Sequence, residues 1–457
     1  MDISNNNIPK SMRYGLQSAT AIQASMALAR FSSINGTSYT SSGSNEIRLK
    51  ISANGFLDGA KHYLEFTITT ATADCFVDTH AGSFINRMRI EANGVVVEEI
   101  NQYALYNSIQ QTYNSDLSKV FKNAVESGGA QLEIKNQAAD GGADTGKIVK
   151  AEVGSLGEEI TATHSKVFCI QLESGLLKNS LNKALPEGLV ELDIILTLSE
   201  VNTAVVSAGA PTWTLSNPSL YAPVYKIENA DVMNAYRQTV ASEGVMIQGQ
   251  TAKTYINSVS SSAGTKSLQI NDRSLSCLGL ITALRDAGAA SAAAKYAVGA
   301  YGFRSDDGTT NGSVSKMKYM INGVNKPQSD ININVATNGL DLGRVYEESV
   351  KALAKHGKHY SEANVSRHQL KGNVSDTYAS ATDTASTEVP KGLLSVDLKK
   401  FDDNMLRMVG ENTSANSAPN VLEFTHTAFP NDLEAITFSL VEAFFQMSPT
   451  GSLSVAM

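Results

Sequence analysis

The chain has 457 residues, of which 18% are charged, and a formal net charge of −8. A chain this acidic, with no cluster of Lys and Arg, is not a general DNA or RNA packer, because phosphate binding needs clustered cations that release counterions. It is also longer than the ~250–300 residues at which one core usually stops growing, so two domains are expected.

The low charge leaves Ser, Thr, Asn, Gln, Gly and Ala to form the surface, which suits extensive polar contact with neighbours. No apolar run approaches the ~20 residues that span a bilayer, and the first ten residues are polar, so neither a membrane span nor a standard secretory signal is expected. Cys75, Cys169 and Cys277 are odd in number and widely spaced, which argues against a disulfide framework or a cysteine zinc site. They read as small buried hydrophobes in a reducing compartment. The Asn-x-Ser/Thr triplets at Asn35, Asn311, Asn364, Asn373 and Asn412 then carry no glycosylation meaning.

In chain order, residues 9–30 carry Met12, Leu16, Ile22, Met26 and Leu28 at loose helical spacing, with Lys10, Arg13 and Arg30 around them. They read as a helix or arm, residues 1–30, outside the first core. From Asn45 the period changes to two, the sign of half-buried strands. Ile47, Leu49 and Ile51 alternate with polar residues, as do Leu64, Phe66 and Ile68. Asn93-Gly94 between β-forming residues predicts a two-residue hairpin turn. Residues 98–113, with Ile100, Tyr103, Ile109 and Tyr113, predict a short helix, and the Gly-rich residues 128–157 a long excursion. Strands are expected again at Phe168 to Leu172 and at Val190 to Leu198, the cleanest alternation in the chain. Trp213, near Pro211 and Pro218, closes the first half, residues 31–222.

The second half, residues 223–457, has the same order. Residues 225–244 read as a connection with helical character, with strands after it near Ile247 and Leu268. Lys316-Met317-Lys318 before Asn322-Gly323-Val324 echoes Arg87-Met88-Arg89 before Asn93-Gly94-Val95. The offset, 316 − 87 = 229, is about half the chain, so one structural unit is expected twice, each copy with this hairpin. Residues 341–356 predict the best helix: Leu342, Val345, Tyr346, Val350 and Leu353 form one face, Asp341 caps its start and Gly357 ends it. Small-residue loops at 287–315 and 372–387 alternate with strands near Leu394 to Leu398 and Ile436 to Leu440. Many short strands, long polar loops and few helices indicate an all-β chain of two consecutive β-sandwiches.

Four segments carry a family resemblance. Ala81-Gly82-Ser83-Phe84-Ile85 leading into the Asn93-Gly94 hairpin and the Tyr103 helix resembles the first roll of double jelly-roll major capsid proteins, the adenovirus hexon-like lineage of tailless phages, virophages and polinton-like viruses. Trp213-Thr214-Leu215-Ser216-Asn217-Pro218 is similar to the end of that roll. Leu394-Ser395-Val396-Asp397-Leu398, then Phe401 and Gly410-Glu411-Asn412-Thr413, resembles a late segment of the second roll, and residues 435–445 its closing strand. The resemblance implies two consecutive jelly rolls with a few short helices in the connections. It further implies a homotrimer with a pseudo-hexagonal outline and an icosahedral shell of neighbouring capsomers with penton and minor capsid proteins. It places the chain in the virion, assembled inside the host cell, with the N-terminal arm beneath the first roll, in reach of an internal membrane.

Catalytic, cofactor and metal sites are expected to be absent. His356 and His359, with His368 and Glu362, form the only histidine cluster, but Gly357 interrupts a shared helical face, so a solvated helix end is expected. Ser305-Asp306-Asp307-Gly308 and Asp402-Asp403-Asn404 lack the ligand spacing of a calcium loop and read as turns or caps. Asp140-Gly141-Gly142-Ala143-Asp144 reads as a loop tip. No phosphate-cradling Gly-Lys loop, G-x-S-x-G elbow or H-E-x-x-H motif occurs. The expected function is a non-enzymatic, self-assembling major capsid protein without sequence-specific nucleic-acid binding. The alternative is a two-domain β-sandwich that binds or acts on carbohydrate, which would need a paired-carboxylate or calcium site and an aromatic groove. A single tryptophan argues against that groove.

Overall fold

The computed structural model describes residues 24–52, 54–77, 79–114, 117–129, 132–136, 148–153, 159–180, 183–189, 191–206, 212–287, 313–333, 342–354, 361, 363, 365, 370, 392–400, 408–414, 419–429 and 431–457. The first half contains β1 (Ala24–Ser32), β2 (Glu46–Ile51), β3 (Tyr63–Thr70), β4 (Ile85–Ala92) and β5 (Val95–Asn101), then α1 (Tyr103–Tyr113) and α2 (Leu117–Glu126), then β6 (Ser165–Ile170), β7 (Leu192–Leu198) and β8 (Trp213–Ile227). Helix α3 (Ala230–Glu243) leads to the second half. There follow β9 (Val245–Val259), β10 (Gly264–Ile270), β11 (Cys277–Asp286), β12 (Val314–Ile321), β13 (Val324–Asn332), α4 (Gly343–Ala352), β14 (Leu394–Asp397), β15 (Asn420–His426) and β16 (Leu433–Met447).

Pairing within these strands is antiparallel and gives two sheets per half. The first half has the orders β1-β8-β3-β6 and β2-β7-β4-β5, and the second has β9-β16-β11-β14 and β10-β15-β12-β13. Adding eight to each label of the first half reproduces the second. The expected duplication is therefore present in the eight principal strands of each half, to which the first half adds two small sheets, Cys75–Val77 with Glu159–Ile160 and Val205–Val206, and Leu132–Asn136 with Ile148–Val153. The Asn-Gly pairs join β4 to β5 and β12 to β13, the same step in each half. Asn93 and Gly94 have φ of 51° and 76°, Asn322 and Gly323 of 54° and 78°. Positive φ at both central residues is what a type I′ turn requires.

Local pattern explains the strands. In β3 every second residue, Leu64, Phe66, Ile68 and Thr70, is buried. In the central strand β7, Leu192, Ile194, Leu196 and Leu198 face the core, where Ile194 is fully buried. Phe84 meets Trp213 edge-on at 5.0 Å, and Phe66 lies 6.0 Å from Phe168, filling the first sandwich. Tyr319 and Phe424 are the largest fully buried side chains of the second core.

Several expectations change. Residues 24–30, read as part of a helical arm, form most of β1, paired with β8 from Ala24↔Ile227 to Ser32↔Ser219. Helix-forming Ala, Met and Leu here yield to the partner that β8 supplies, since tertiary pairing overrides weak helix propensity. Residues 9–23 of that reading lie outside the described residues. Trp213 opens the last strand of the first half rather than closing the half, and β8 stays paired up to Ile227, past the expected boundary at 222. The excursion at 128–157 contains a strand pair, Leu132–Asn136 with Ile148–Val153. The connection at 225–244 is helical as α3, whose Asn229 side chain accepts from the amides of Asp231 and Val232. Helix α4 has Val345 and Val350 buried as expected, while Asp341 and Gly357 lie outside the described residues.

Candidate functional site

Where the two sandwiches meet, a loop of the first is driven against a strand of the second. The loop is residues 172–176, and side chains beneath it take up its amides one by one. The Leu172 N–H donates to Nε2 of His62 at 2.9 Å, and the Glu173 N–H donates to the Tyr103 hydroxyl at 2.7 Å. Glu98, 1% exposed, accepts from the Gly175 N–H at 2.7 Å, the Leu176 N–H at 3.3 Å and the Ser174 hydroxyl at 2.6 Å. His62 Nδ1 faces the Gly59 carbonyl, so it carries the proton and leaves Nε2 as the acceptor. Burial pushes the Glu98 carboxyl above the usual carboxylate range, against those hydrogen bonds, which favour its charged form. Burial lowers His62 to about 4. It lowers His80, whose Nδ1 accepts from the Gly82 N–H, to about 3.

Held this way, Gly175 touches the backbone of β9. A methyl placed on Gly249 would lie 1.9 Å from the Gly175 carbonyl oxygen, so only glycine fits. The Ser180 N–H donates to the Gln248 carbonyl at 2.9 Å, the Thr254 hydroxyl to the Asn101 carbonyl at 2.8 Å, and the Asn114 side chain to the Leu353 carbonyl at 3.2 Å. Tyr106 of α1 lies 5.5 Å, ring to ring, from the fully buried Phe438 of β16. A second buried carboxylate, Glu442, accepts from the Gln248 side chain at 3.0 Å and the Val409 N–H at 2.8 Å, and from the Ser276 hydroxyl. Gln248 thus joins the first half through its carbonyl and Glu442 through its amide. Beside this seam lies a cavity of about 110 Å³ lined by Val96, Val97, Glu98, Thr251, Ala252 and Met457. Ile436, Phe438 and Leu440 share one apolar cluster with Tyr106 and Ile109 of the first half.

The carboxylates of the seam meet hydroxyl, amide and backbone N–H donors. That chemistry fixes two blocks in one setting. Among the described residues, no group of three or more His, Cys, Asp or Glu is placed to hold a metal ion. None of their helices is long and apolar enough to cross a membrane. The sequence-level candidates His356, His359, Glu362, His368, Ser305 to Gly308, Asp402 to Asn404 and Asp140 to Asp144 all lie outside the described residues. Cys75 and Cys277 are buried as expected, with Cys169 at intermediate exposure. Burial pushes the Cys75 thiol up to about 11.

No protein-family model matches the chain, and no curated protein matches it. Solved structures do. A quasi-atomic model of the PBCV-1 virus capsid aligns over 97% of this chain and 99% of its own, with a TM-score of 0.59 and 11% identity. The mavirus major capsid protein aligns over 99% and 94%, at 0.56 and 11%. A chain of the Sputnik virophage aligns over 98% and 91%, at 0.57 and 13%. The fold is a double jelly roll. Its rolls are the two sandwiches, and the likeness runs through both of them and the seam rather than stopping at one roll.

Sequence reasoning missed the residues of this seam. Glu442 left a legible trace, as a lone acid in Leu440-Val441-Glu442-Ala443-Phe444-Phe445. Gly175 and Gly249 left none, because a glycine shows its close contact only once its neighbour is placed.

Proposed function

We propose that this chain is a structural, non-enzymatic subunit of a viral shell, a major capsid protein. The observation that carries the reading is the two-roll likeness to capsid proteins over nearly the whole length of both chains. The seam supports it, because a tile must keep its two blocks in one orientation under load. In this reading the rolls, residues 24–227 and 245–457, are two similar lobes. Three copies give six lobes, which fill a pseudo-hexagonal position in an icosahedral lattice. The trimers meet neighbouring capsomers, penton and minor proteins in the virion, and the N-terminal residues preceding β1 touch a neighbouring subunit or a lipid surface. Sedimentation and negative-stain electron microscopy of the purified full chain test this. Trimers with a six-lobed outline, or closed shells, are expected. A folded chain that stays monomeric at micromolar concentration would overturn the proposal, and one that also turns over glycans would restore the carbohydrate alternative.

A further inference from the structure

Four Asn-Gly pairs lie among the described residues, at Asn35, Asn54, Asn93 and Asn322, and the fold surrounds each differently. Such a pair can react with itself, because glycine puts no side chain in the way of its own amide nitrogen. That nitrogen attacks the asparagine Cγ; the new C–N bond forms, the Cγ–Nδ2 bond breaks, and Nδ2 leaves as ammonia with the proton given up by the attacking nitrogen. Water then opens the five-membered imide at one carbonyl or the other, leaving aspartate or isoaspartate, each with a new negative charge. The reaction needs a side chain free to turn and a glycine free to move.

Three of the four pairs lack one of these. Asn35 Oδ1 accepts from the Tyr39 hydroxyl at 2.9 Å and the Arg48 N–H at 3.0 Å, while its Nδ2 donates to the Glu46 carbonyl at 2.7 Å. Gly55, which follows Asn54, is buried, and a methyl placed on it would lie 2.6 Å from the Tyr225 carbonyl oxygen. Asn322 Nδ2 donates to the Asn412 carbonyl at 3.1 Å and to Oε1 of Glu411 at 3.4 Å. Glu411 is itself fixed, accepting from Lys326 at 3.0 Å and exchanging two backbone bonds of 2.8 Å with Cys277. Asn93 differs. It is exposed, its side chain makes no hydrogen bond among the described residues, and nothing lies within 4 Å of where a side chain on Gly94 would begin. Gly323 is equally open, so the two hairpin turns differ in their asparagines and not in their glycines.

We infer that Asn93 is a site of spontaneous modification, converted through Gly94 to aspartate or isoaspartate in the folded chain, while the other three pairs are protected by their contacts. Its position gives the conversion a consequence. The turn closes on the pair Ala92↔Val95. Isoaspartate adds a carbon to the main chain of a turn built for two residues, and so disturbs the pairing of β4 with β5 at its head. Val96 and Val97, next along β5, line the cavity beside the seam. The chain therefore ages at the strand through which the first roll meets the second. This inference does not depend on the shell-subunit reading.

The test ages the purified full chain in mildly alkaline buffer, once folded and once in denaturant, and reads amide-to-acid conversion at each of the four sites by peptide mass spectrometry. In the folded chain Asn93 should convert faster than Asn322 by about tenfold or more, because a hydrogen bond to a charged group must first break at Asn322. In denaturant the two rates should come together. Hydrogen exchange on the aged folded chain should show protection lost at the start of β5. The Asn93→Gly variant, which suits positive φ and has no amide to lose, should keep that protection through the same ageing. Three results would overturn the inference: conversion at Asn35, Asn54 or Asn322 as fast as at Asn93 in the folded chain, a difference between Asn93 and Asn322 that survives unfolding and so belongs to the flanking sequence, or β5 protection in the converted chain equal to that of Asn93→Gly.

Discussion

The sheets β1-β8-β3-β6 and β9-β16-β11-β14 have the same strand order and opposite surroundings. Strands β8 and β16 are equally long, at 15 residues each. In β16 only Gln446 is exposed and Glu434 half-buried, so both faces are covered. In β8 Thr214, Ser216, Tyr221 and Tyr225 remain partly open on the outer face. Topology fixes which strand is central. The neighbour decides how many of its faces are dry.

Burial on both faces also changes the chemistry a strand must carry. Two buried hydroxyls of the second of these sheets pair, Thr282 with Thr437 at 2.8 Å, and Thr282 also meets the Tyr319 hydroxyl of β12 at 2.9 Å. Leaving such groups unpaired in a dry sheet would cost about 1–3 kcal/mol each. On the open face Thr69 and Ser165 also pair, at 2.7 Å, where solvent offers an alternative partner.

Truncation should expose the contrast most strongly. Phe438→Ala removes a fully buried ring from between the rolls and should cost about 3–5 kcal/mol in chemical denaturation. Tyr221→Ala, on the corresponding sheet of the first roll, loses one stacked partner and should cost about 1 kcal/mol. Equal costs would mean that the two faces are equally covered.

Acid should separate the rolls next. His62 has its folded value lowered from 6.5 to about 4, so between these values the unfolded chain binds a proton that the folded chain refuses. Stability therefore falls as pH drops from about 6.5 towards 4, by roughly 3 kcal/mol for this group alone. His80 acts in the same direction. Both belong to the first roll, so hydrogen exchange should show that roll opening first, and His62→Gln should flatten the slope in denaturation curves taken across that range.

Glu98→Ala would strand the Gly175 and Leu176 amides and the Ser174 hydroxyl and should cost about 2 kcal/mol. Loss of protection at residues 172–176 and along β9, with the distant hairpin turns unaffected, is the pattern expected by hydrogen exchange. The smallest effect should be the most symmetric. Gly94→Ala and Gly323→Ala each place a side chain at positive φ in open space, so each should cost about 1 kcal/mol from backbone strain alone. Clearly unequal costs would show that the two turns are held differently.

Much of this architecture was readable where the signal is local. Alternation at Leu64 to Ile68 and Leu192 to Leu198 marks strands because one face meets a core and the other does not. The Asn93-Gly94 and Asn322-Gly323 turns were readable because few residue pairs accept positive φ at both positions. Residues 24–30 were misread because Ala, Met and Leu satisfy a helical spacing equally well, and the partner that makes them a strand lies near residue 227. The seam was legible only as a stray acid at Glu442. His62, Tyr103 and Glu98 come from separate strands and a helix, and nothing in their local spacing shows that they converge on one loop.

The contact between Gly175 and Gly249 has a consequence for how such a chain tolerates change. The angle between the rolls is set by main chain meeting main chain, so it does not depend on the size of any side chain at that point. Core residues elsewhere can drift and repack while the two lobes keep their bearing, provided these two positions stay bare. A single added methyl would act as a wedge, rotating one whole lobe against the other and moving its far edge, and with it any surface that edge presents, by more than the methyl's own width.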